Sequence, residues 1–284
     1  MLRLVTTIGL LCAFAMAQDQ TLHLNFGVFP TDKPKVMYQK LKPVIEAIRK
    51  PIAHQLGRPV SIHLRLFDDI SQGRGELEQG RVDFARVDSS GFVFANQLQN
   101  PYVLLAIELN KGLKRSNGLI VTRADSGIQT LEDLKGKRFA FGDPLSSTGS
   151  FLPKALLLHA GIDAKNLRSH DYLDRSDFAV FSVLSGTHDA GAISAEHFQK
   201  HCDLEDIHVL QVVEDVSNPW ICNSTLDQEI REAITSALIV IEDSEVLDAL
   251  GCSGFIEASV DEFRIIEDAM KEANNFMPQT SSPE

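Results

Sequence analysis

The chain has 284 residues, of which 44% are hydrophobic and 23% charged, and its formal net charge is −12. This composition predicts a globular protein with a sizeable core, arranged as one large domain or as two lobes. The acidic balance argues against nucleic acid or an anionic membrane as a partner. It does not exclude an anionic ligand, because the local donors of a pocket decide what the pocket binds.

Residues 1–17 differ from the rest of the chain. A basic start at Arg3 precedes an almost wholly apolar stretch from Ile8 to Ala15, and Ala15-Met16-Ala17 has the small-residue pattern of a cleavage site. These features predict a cleavable signal peptide over residues 1–17 and an exported, soluble mature protein.

Three cysteines follow this leader, namely Cys202, Cys222 and Cys252. In an oxidising compartment an odd number allows at most one disulfide and leaves one thiol over. The sequence does not fix the pair. A Cys222–Cys252 disulfide is expected, because both residues fall in the same predicted lobe. The spacing matches no zinc pattern, and no metal or cofactor is expected.

Apolar alternation and turn residues predict strands that alternate with helices. In the first half the predicted strands are 21–29, 60–67, 81–87, 103–109 and 118–122, and the predicted helices are 36–56, 69–79 and 89–98. In the second half the strands are 137–141, 166–172, 189–193, 209–213 and 220–222, the helices are 128–134, 151–160 and 177–184, and residues 226–276 are mostly helical. Pro43 and Pro51 predict a kink in the first helix or its division into two. Strands alternating with helices imply an α/β fold with a parallel-rich sheet.

The most informative stretch is 139–150. Its apolar run ends at Gly142, and Pro144 cannot continue a strand. Three hydroxyl residues then precede an apolar-periodic helix: Ser146, Ser147 and Thr148. The first N–H groups of a helix lack partners inside the helix and favour negative charge, so this stretch is a candidate anion site. An ordinary capped helix has the same sequence features, and both interpretations stay open.

A second hydroxyl-rich helix start lies at Ser89 and Ser90. Two halves with the same order of elements would place both helix starts at one cleft, where open α/β sheets bind ligands. Other candidate ligand residues are three arginines near strand ends or in adjoining loops, Arg86, Arg115 and Arg175, each able to fork onto an oxyanion. Trp220 either walls the cleft or fills the core.

Catalytic motifs are missing from the sequence. The serines near position 147 are not in a Gly-x-Ser-x-Gly elbow, and the i, i+4 pair His197 and His201 lacks the Glu of a zinc-protease helix. The protein is therefore expected to bind a ligand and not to be an enzyme. An exported hydrolase is disfavoured by the missing triad.

Several segments occur in the order seen in one known family. They are Phe26-Gly-Val-Phe, Gly80-Arg-Val-Asp-Phe-Ala, the long run from Ser126 through Leu134-Lys-Gly-Lys to Asp143-Pro-Leu-Ser-Ser-Thr-Gly, and Gly186-Thr-His-Asp-Ala-Gly-Ala. The chain resembles the periplasmic phosphate/phosphite/phosphonate-binding proteins of ABC transporters over nearly its whole mature length. Family positions that contact ligand align near Ile70, Arg115 and Ser176-Asp177, where this chain departs from the family's aromatic residues and histidine.

The resemblance implies the type II periplasmic-binding fold, an α/β fold of two lobes joined by a two-strand hinge. It implies a lobe 1 of residues 18–122 and 215–284, and a lobe 2 of residues 123–214. The candidate ligand-binding residues are Ser146, Ser147, Thr148, Ser89, Ser90, Arg86, Arg115, Arg175, Asp177 and Trp220. Among them, the resemblance implies that Ser146, Ser147 and Thr148 hold the oxyanion.

The expected function is that of a monomeric periplasmic receptor, which captures a small oxyanion of phosphate, phosphite or phosphonate type and delivers it to a membrane permease by lobe closure. The alternative is a periplasmic sensory subunit that reports an arsenite-like or phosphate-like oxyanion to a histidine kinase.

Overall fold

The computed structural model describes residues 20–30, 32–173, 176–195, 198 and 205–277, and the backbone alone of Ser176 and Asp177. The predicted signal peptide, Arg175, Cys202 and the His197–His201 pair lie outside the described residues. Within these residues, none of the helices is both long enough and apolar enough to cross a membrane.

Strands and helices alternate along most of the described chain, as the sequence predicts. In chain order the first elements are β1 (Leu22–Val28), α1 (Pro34–Leu56), β2 (Val60–Leu66), α2 (Ile70–Glu78), β3 (Phe84–Arg86), α3 (Ser89–Asn96), β4 (Tyr102–Leu109), β5 (Arg115–Arg123) and β6 (Arg138–Phe141). The later elements are α4 (Leu152–His159), β7 (Ser169–Tyr172), α5 (Ser176–Leu184), β8 (Ala190–Ser194), β9 (Ile207–Val216), β10 (Pro219–Asn223), α6 (Gln228–Ile239), α7 (Ser244–Leu250), β11 (Gly254–Ile256) and α8 (Arg264–Ala273).

The first helix, α1, is one continuous element although it contains Pro43 and Pro51, so of the two predicted alternatives, a kink or a division into two helices, the division is wrong. Apolar side chains at three- and four-residue spacing bury one face of it, which holds the helix together across the two prolines: Leu41, Val44, Ile45, Ile48 and Ile52. The helix ends at Gly57, whose φ of 62° is a left-handed conformation that glycine adopts without strain.

Two separate sheets form two lobes. The lobe 1 sheet has the order β11-β4-β10-β3-β1-β2, in which β1 lies parallel to β2 and β3, whereas β10 runs antiparallel to β3 and β4. The lobe 2 sheet has the order β7-β6-β8-β5-β9, with β6 parallel to β7 and β8. Strand β11 falls in the tail that was predicted to be mostly helical.

The chain passes between the lobes at β4–β5 and again at β9–β10. Strands β5 and β9 pair antiparallel along their whole length, from Arg115 opposite Val216 to Arg123 opposite Ile207. They are the two hinge strands of the type II periplasmic-binding fold, which the sequence predicted. Both strands belong to the lobe 2 sheet, and the lobe boundaries at residues 122 and 215 stay predictions.

The end of the described chain returns to lobe 2. Helix α8 packs against both α3 and α4, and Phe276 is fully buried against Phe141 and His170, with ring centroids 5.4 and 5.9 Å apart. The backbone N–H of Ala164 donates to the Phe276 carbonyl at 3.0 Å. This contact lies outside the predicted assignment of residues 215–284 to lobe 1.

The expected Cys222–Cys252 disulfide is wrong in this structure, since both thiols are free and buried. Both side chains belong to the apolar core of lobe 1, as their predicted placement in one lobe requires. Burial raises the pKa of Cys222 to about 12 and that of Cys252 to about 11, so both are protonated thiols at neutral pH.

Candidate functional site

The predicted lobe 2 anion site follows β6 directly. Ser146 caps the next turn, and its Oγ accepts the N–H of Gly149 at 3.2 Å. The turn Ser147–Phe151 is wide, with π-type hydrogen bonding, before α4 begins at Leu152. Gly142 donates its N–H to the Gly149 carbonyl at 2.8 Å, and a Cβ at Gly142 would lie 3.0 Å from Gly149 Cα. Two glycines are therefore required for the strand and the helix start to approach this closely.

The lobe 1 helix start faces this turn. Helix α3 begins with Ser89 and Ser90, at the helix start that the sequence predicts. Both serines are fully buried. The N-cap is the residue before them, Asp88, whose Oδ1 accepts the N–H of Gly91 at 2.7 Å. A carboxylate therefore occupies the cap position of this helix, and the hydroxyls of Ser89 and Ser90 are left to make other contacts.

The two helix starts are bonded to each other across the cleft. The Ser90 hydroxyl donates to the Leu145 carbonyl at 2.7 Å. In the opposite direction, the backbone N–H of Ser147 donates to Asp88 Oδ2 at 2.9 Å. The sequence prediction that these two hydroxyl-rich segments meet at one cleft agrees with their position in the structure.

Asp215, near the end of hinge strand β9, lies at the centre of this contact. Its Oδ1 accepts from the Ser89 hydroxyl at 2.5 Å and its Oδ2 accepts from the Ser147 hydroxyl at 2.7 Å, so it joins the two lobes. The N–H of Val216 donates a third hydrogen bond at 2.7 Å.

The Asp215 side chain is buried, with 3% of the residue exposed. Burial raises the pKa of Asp215 to about 7, and the negative charge of Asp88 acts in the same direction, whereas the two serine hydroxyls act against it. The cleft between the lobes therefore holds a carboxyl group that changes protonation near neutral pH.

A guanidinium group lies beside these carboxylates. Arg74 of α2 is 8% exposed, and its Nη2 donates to the Leu145 carbonyl at 2.9 Å and to Ser90 Oγ at 3.4 Å. Its Nε is buried and has no hydrogen-bond partner among the described residues. Burial lowers the pKa of Arg74, although the charges of Asp88 and Asp143 oppose that effect. This cation thus lies in the cleft with an unused donor.

Thr148 is partly buried beside Ser147, on the surface of the hinge. A Cβ on Gly118 of β5 would lie only 2.8 Å from the Thr148 Cβ, so the threonine rests directly on that glycine. The hydroxyl-bearing side chain is in this way fixed against the strand that connects the lobes.

Arg86 and Trp220, two of the predicted ligand residues, are held within lobe 1. The Arg86 guanidinium forks onto the buried carboxylate of Glu108, with N–O distances of 2.6 and 2.9 Å. Trp220 is fully buried, donates its Nε1–H to Glu108 at 2.8 Å and packs against Phe26. Trp220 fills the core and does not wall the cleft in this conformation.

The remaining candidates lie elsewhere. Arg115 is exposed at the start of β5. Arg175 is outside the described residues, and Asp177 belongs to the first turn of α5, with only its backbone described. The structure therefore brings together Ser89, Ser90, Ser146, Ser147 and Thr148 from the predicted set.

Sequence reasoning missed Asp88, Asp215 and Arg74. For Asp88 a signal was present, because an aspartate directly before Ser-Ser at a helix start is a favoured N-cap. Asp215 and Arg74 carry no comparable signal, since their partners are distant in sequence. Among the described residues, no group of three or more His, Cys, Asp or Glu side chains could hold a metal ion.

The chain matches known proteins in sequence and in fold. The family model described as the periplasmic substrate-binding protein of phosphonate ABC transporters matches residues 26–263. The chain therefore belongs to this family of solute-binding transport proteins. A curated relative, the probable ABC transporter phosphite binding protein PhnD1 of Prochlorococcus marinus (strain MIT 9301), is 23% identical over 207 residues, which are 66% of this chain and 70% of the relative.

Solved structures agree on the fold. PhnD1 from Prochlorococcus marinus in complex with methylphosphonate superposes with a TM-score of 0.74 at 19% identity, covering 89% of this chain and 98% of that one. XAC2383 from Xanthomonas citri bound to chloride ion gives a TM-score of 0.76 at 20% identity, with the same coverage. A binding protein component of an ABC phosphonate transporter (PA3383) from Pseudomonas aeruginosa gives 0.72 at 18% identity, covering 92% and 91%.

Proposed function

We propose that this protein is a periplasmic receptor that captures a small phosphate-, phosphite- or phosphonate-type oxyanion between its lobes and delivers it to the permease of an ABC transporter. The observation that carries this proposal is the position of Asp88. Its carboxylate, an oxyanion itself, is held by the N–H of Gly91 from lobe 1 and by the N–H of Ser147 from lobe 2. The cleft thus offers backbone donors from two helix starts to one negative group.

The same geometry supports closure of the lobes on the ligand. Donors at Ser147 and at the start of α3 come from different lobes, so a ligand that contacts both binds only when the lobes are together. Such a ligand shifts the population toward the closed state by its differential affinity, and the permease recognises that state. Transport is favoured over the sensory alternative because the matching family model is that of a transporter component. A monomeric receptor remains a prediction.

A thermal-shift panel tests the ligand class. The mature protein is heated with phosphate, phosphite, methylphosphonate, aminoethylphosphonate, arsenate, arsenite or sulfate, with sodium chloride at equal ionic strength as control. A ligand at a hundredfold excess over its Kd stabilises the native state by about 2.7 kcal/mol. At least one phosphorus oxyanion is expected to raise the midpoint by several degrees. If only amino acids or metal ions raise it, the proposal is wrong.

Transport and sensing are separated by a second measurement. Uptake of the stabilising oxyanion is compared between cells with and without the gene, alongside binding of the purified, ligand-loaded protein to its neighbouring permease and to any neighbouring histidine kinase. Loss of uptake together with permease binding supports transport. Normal uptake with kinase binding would support the sensory alternative.

A further inference from the structure

The cleft contains a carboxylate on the same donors that an oxyanion needs. Asp88 Oδ2 accepts the N–H of Ser147 at 2.9 Å, and the same N–H lies at the first turn of the predicted lobe 2 anion site. A backbone N–H makes one good hydrogen bond, so an incoming oxyanion takes this donor only by replacing Asp88 as its acceptor.

After that exchange, Asp88 stays at the ligand. Its Oδ1 accepts the N–H of Gly91 at 2.7 Å, so the side chain is anchored to the start of α3 as its N-cap. Its freed Oδ2 then faces the ligand. An ionised carboxylate only accepts hydrogen bonds, and a bare oxyanion oxygen only accepts as well.

The surrounding charges add to this restriction. Arg74 is the cation beside Asp88, buried and with its Nε unbonded among the described residues. One guanidinium balances one negative charge, while Asp143 is a second carboxylate whose charge acts on Arg74. A ligand oxygen without a proton would face Asp88 as a like charge at short range, which disfavours binding.

We infer that Asp88 makes the cleft selective for an oxyanion that carries its own proton, with a P–OH group donating to the Asp88 carboxylate and the remaining oxygens accepting from Ser147 and Arg74. The inference rests on the proposed function and names the protonation state of its ligand. The P–OH group replaces the N–H of Ser147 as the donor to Asp88, so every group in the exchange keeps a partner.

Two pairs of probes isolate the proton. At mildly acidic pH the methylphosphonate monoanion and methanesulfonate have the same charge and nearly the same shape, but only methylphosphonate carries an O–H. At mildly alkaline pH, inorganic phosphate and sulfate form a second pair of equal charge, in which only phosphate carries a proton. Titration calorimetry on the mature protein is expected to give at least tenfold tighter binding of the protonated member of whichever pair binds.

The decisive variant is Asp88→Asn. Asparagine is an equally good helix N-cap, so the fold is kept, but its amide supplies N–H donors where the carboxylate had none. Methanesulfonate or sulfate binding is expected to strengthen at least tenfold, and a gain of binding cannot result from misfolding. Asp69→Asn is the matched control: Asp69 caps α2 through Gln72 N at 2.7 Å, at an exposed site. It is expected to keep the wild-type preference.

The outcomes separate the two proposals. Equal binding of protonated and unprotonated probes by the wild type, or an unchanged preference in Asp88→Asn, overturns the inference and leaves oxyanion binding intact. Failure of all four probes and of the wider panel to bind overturns the proposed function, and the inference with it.

Discussion

Two buried carboxyl groups, Glu108 and Asp215, are nearly equally hidden from solvent, with 4% and 3% of the residue exposed, yet their partners differ. Glu108 accepts two hydrogen bonds from the Arg86 guanidinium and one from Trp220, all within lobe 1, and a longer one from the Asn218 amide. Asp215 accepts from two serine hydroxyls, one in each lobe, and from one N–H. A carboxylate with a counter-ion in its own lobe stabilises that lobe permanently. A carboxyl group with only neutral donors from both lobes is stabilised conditionally, when the lobes meet.

The largest expected effect comes from removing the permanent site. Glu108→Ala takes away the carboxylate that accepts from the Arg86 guanidinium and from the Trp220 N–H in a buried position, and breaking a buried pair in this way costs about 3–5 kcal/mol of unfolding free energy. Urea denaturation measures it. The control is Asp125→Ala, which breaks the exposed pair with Arg123 and is expected to cost at most about 1 kcal/mol. Equal losses in the two variants would show that Glu108 is not the structural site described.

The conditional site is expected to respond to pH. The pKa of Asp215 is raised from 3.8 to about 7, so the native state holds a proton that the unfolded chain has lost. Its contribution to stability is complete below pH 4 and is lost as the pH rises through 7. Asp215→Asn removes this dependence and is expected to be more stable than the wild type above pH 7, by on the order of 4 kcal/mol. Denaturation at a series of pH values across this range measures the free energy of unfolding of both proteins. The same pH dependence in wild type and variant would contradict the raised pKa of Asp215.

A third buried charge sharpens the contrast, because its partners are aromatic rings. Lys154 of α4 has its Nζ 4.8 Å from the Tyr172 ring centroid and 5.6 Å from that of Phe141, and burial lowers its pKa to about 8. Burial of the charged ammonium lowers the free energy of unfolding below pH 8, and this loss disappears as the pH rises toward 10.5. Lys154→Met is therefore expected to stabilise the protein at neutral pH by about 1–2 kcal/mol.

Lys271→Met, at an exposed helix position paired with Glu267, is the control for Lys154→Met and is expected to change stability by less than about 0.5 kcal/mol. Thermal denaturation of both variants at neutral pH compares them. A destabilised Lys154→Met would mean that the ammonium gains more from the rings than it loses by burial.

The smallest expected effects come from the two serines that donate hydrogen bonds to Asp215. Ser89→Ala and Ser147→Ala each remove one buried hydroxyl donor. Each is expected to lower the free energy of unfolding by about 1 kcal/mol and to raise the pKa of Asp215 further. Carboxyl-carbon NMR titration follows that pKa. Ser150→Ala is the matched control, since Ser150 is a buried serine of the same turn whose hydroxyl has no hydrogen-bond partner within the described part of the chain. A pKa of Asp215 that responds equally to all three variants would contradict the assigned contacts.

The local sequence predicts most elements of the fold and about half of the residues that meet at the cleft. The run from Phe139 to Ser150 predicts a strand, a turn and a hydroxyl-capped helix, because each of these depends on neighbouring residues, and the structure contains all three. The sequence assigns Gly142 and Gly149 to a turn, but it does not predict their close contact. The departures from the family's aromatic residues near Ile70 and Arg115, and from its histidine at Ser176, could be noted, but the sequence does not show which residues serve instead.

The missed residues depend on long-range contacts. Asp215 is bonded to serines 126 and 68 positions away, and Arg74 to a carbonyl 71 positions away. Arg86 is the last residue of a strand, as a ligand arginine would be, but the Glu108 that neutralises it lies on another strand of the same sheet. The sequence therefore predicts which segments meet at the cleft, whereas the structure is needed to show which of their charges are already paired.

The burial of Phe276 has a kinetic consequence. Lobe 1 is completed by β11 at Gly254–Ile256, and the core of lobe 2 is completed by Phe276, so neither lobe can finish folding until nearly the whole chain is available. Contacts between residues this far apart in sequence also slow folding. A nascent chain that has not yet been made through Phe276 therefore lacks part of the lobe 2 core, and the last described segment sets the moment at which that core can close.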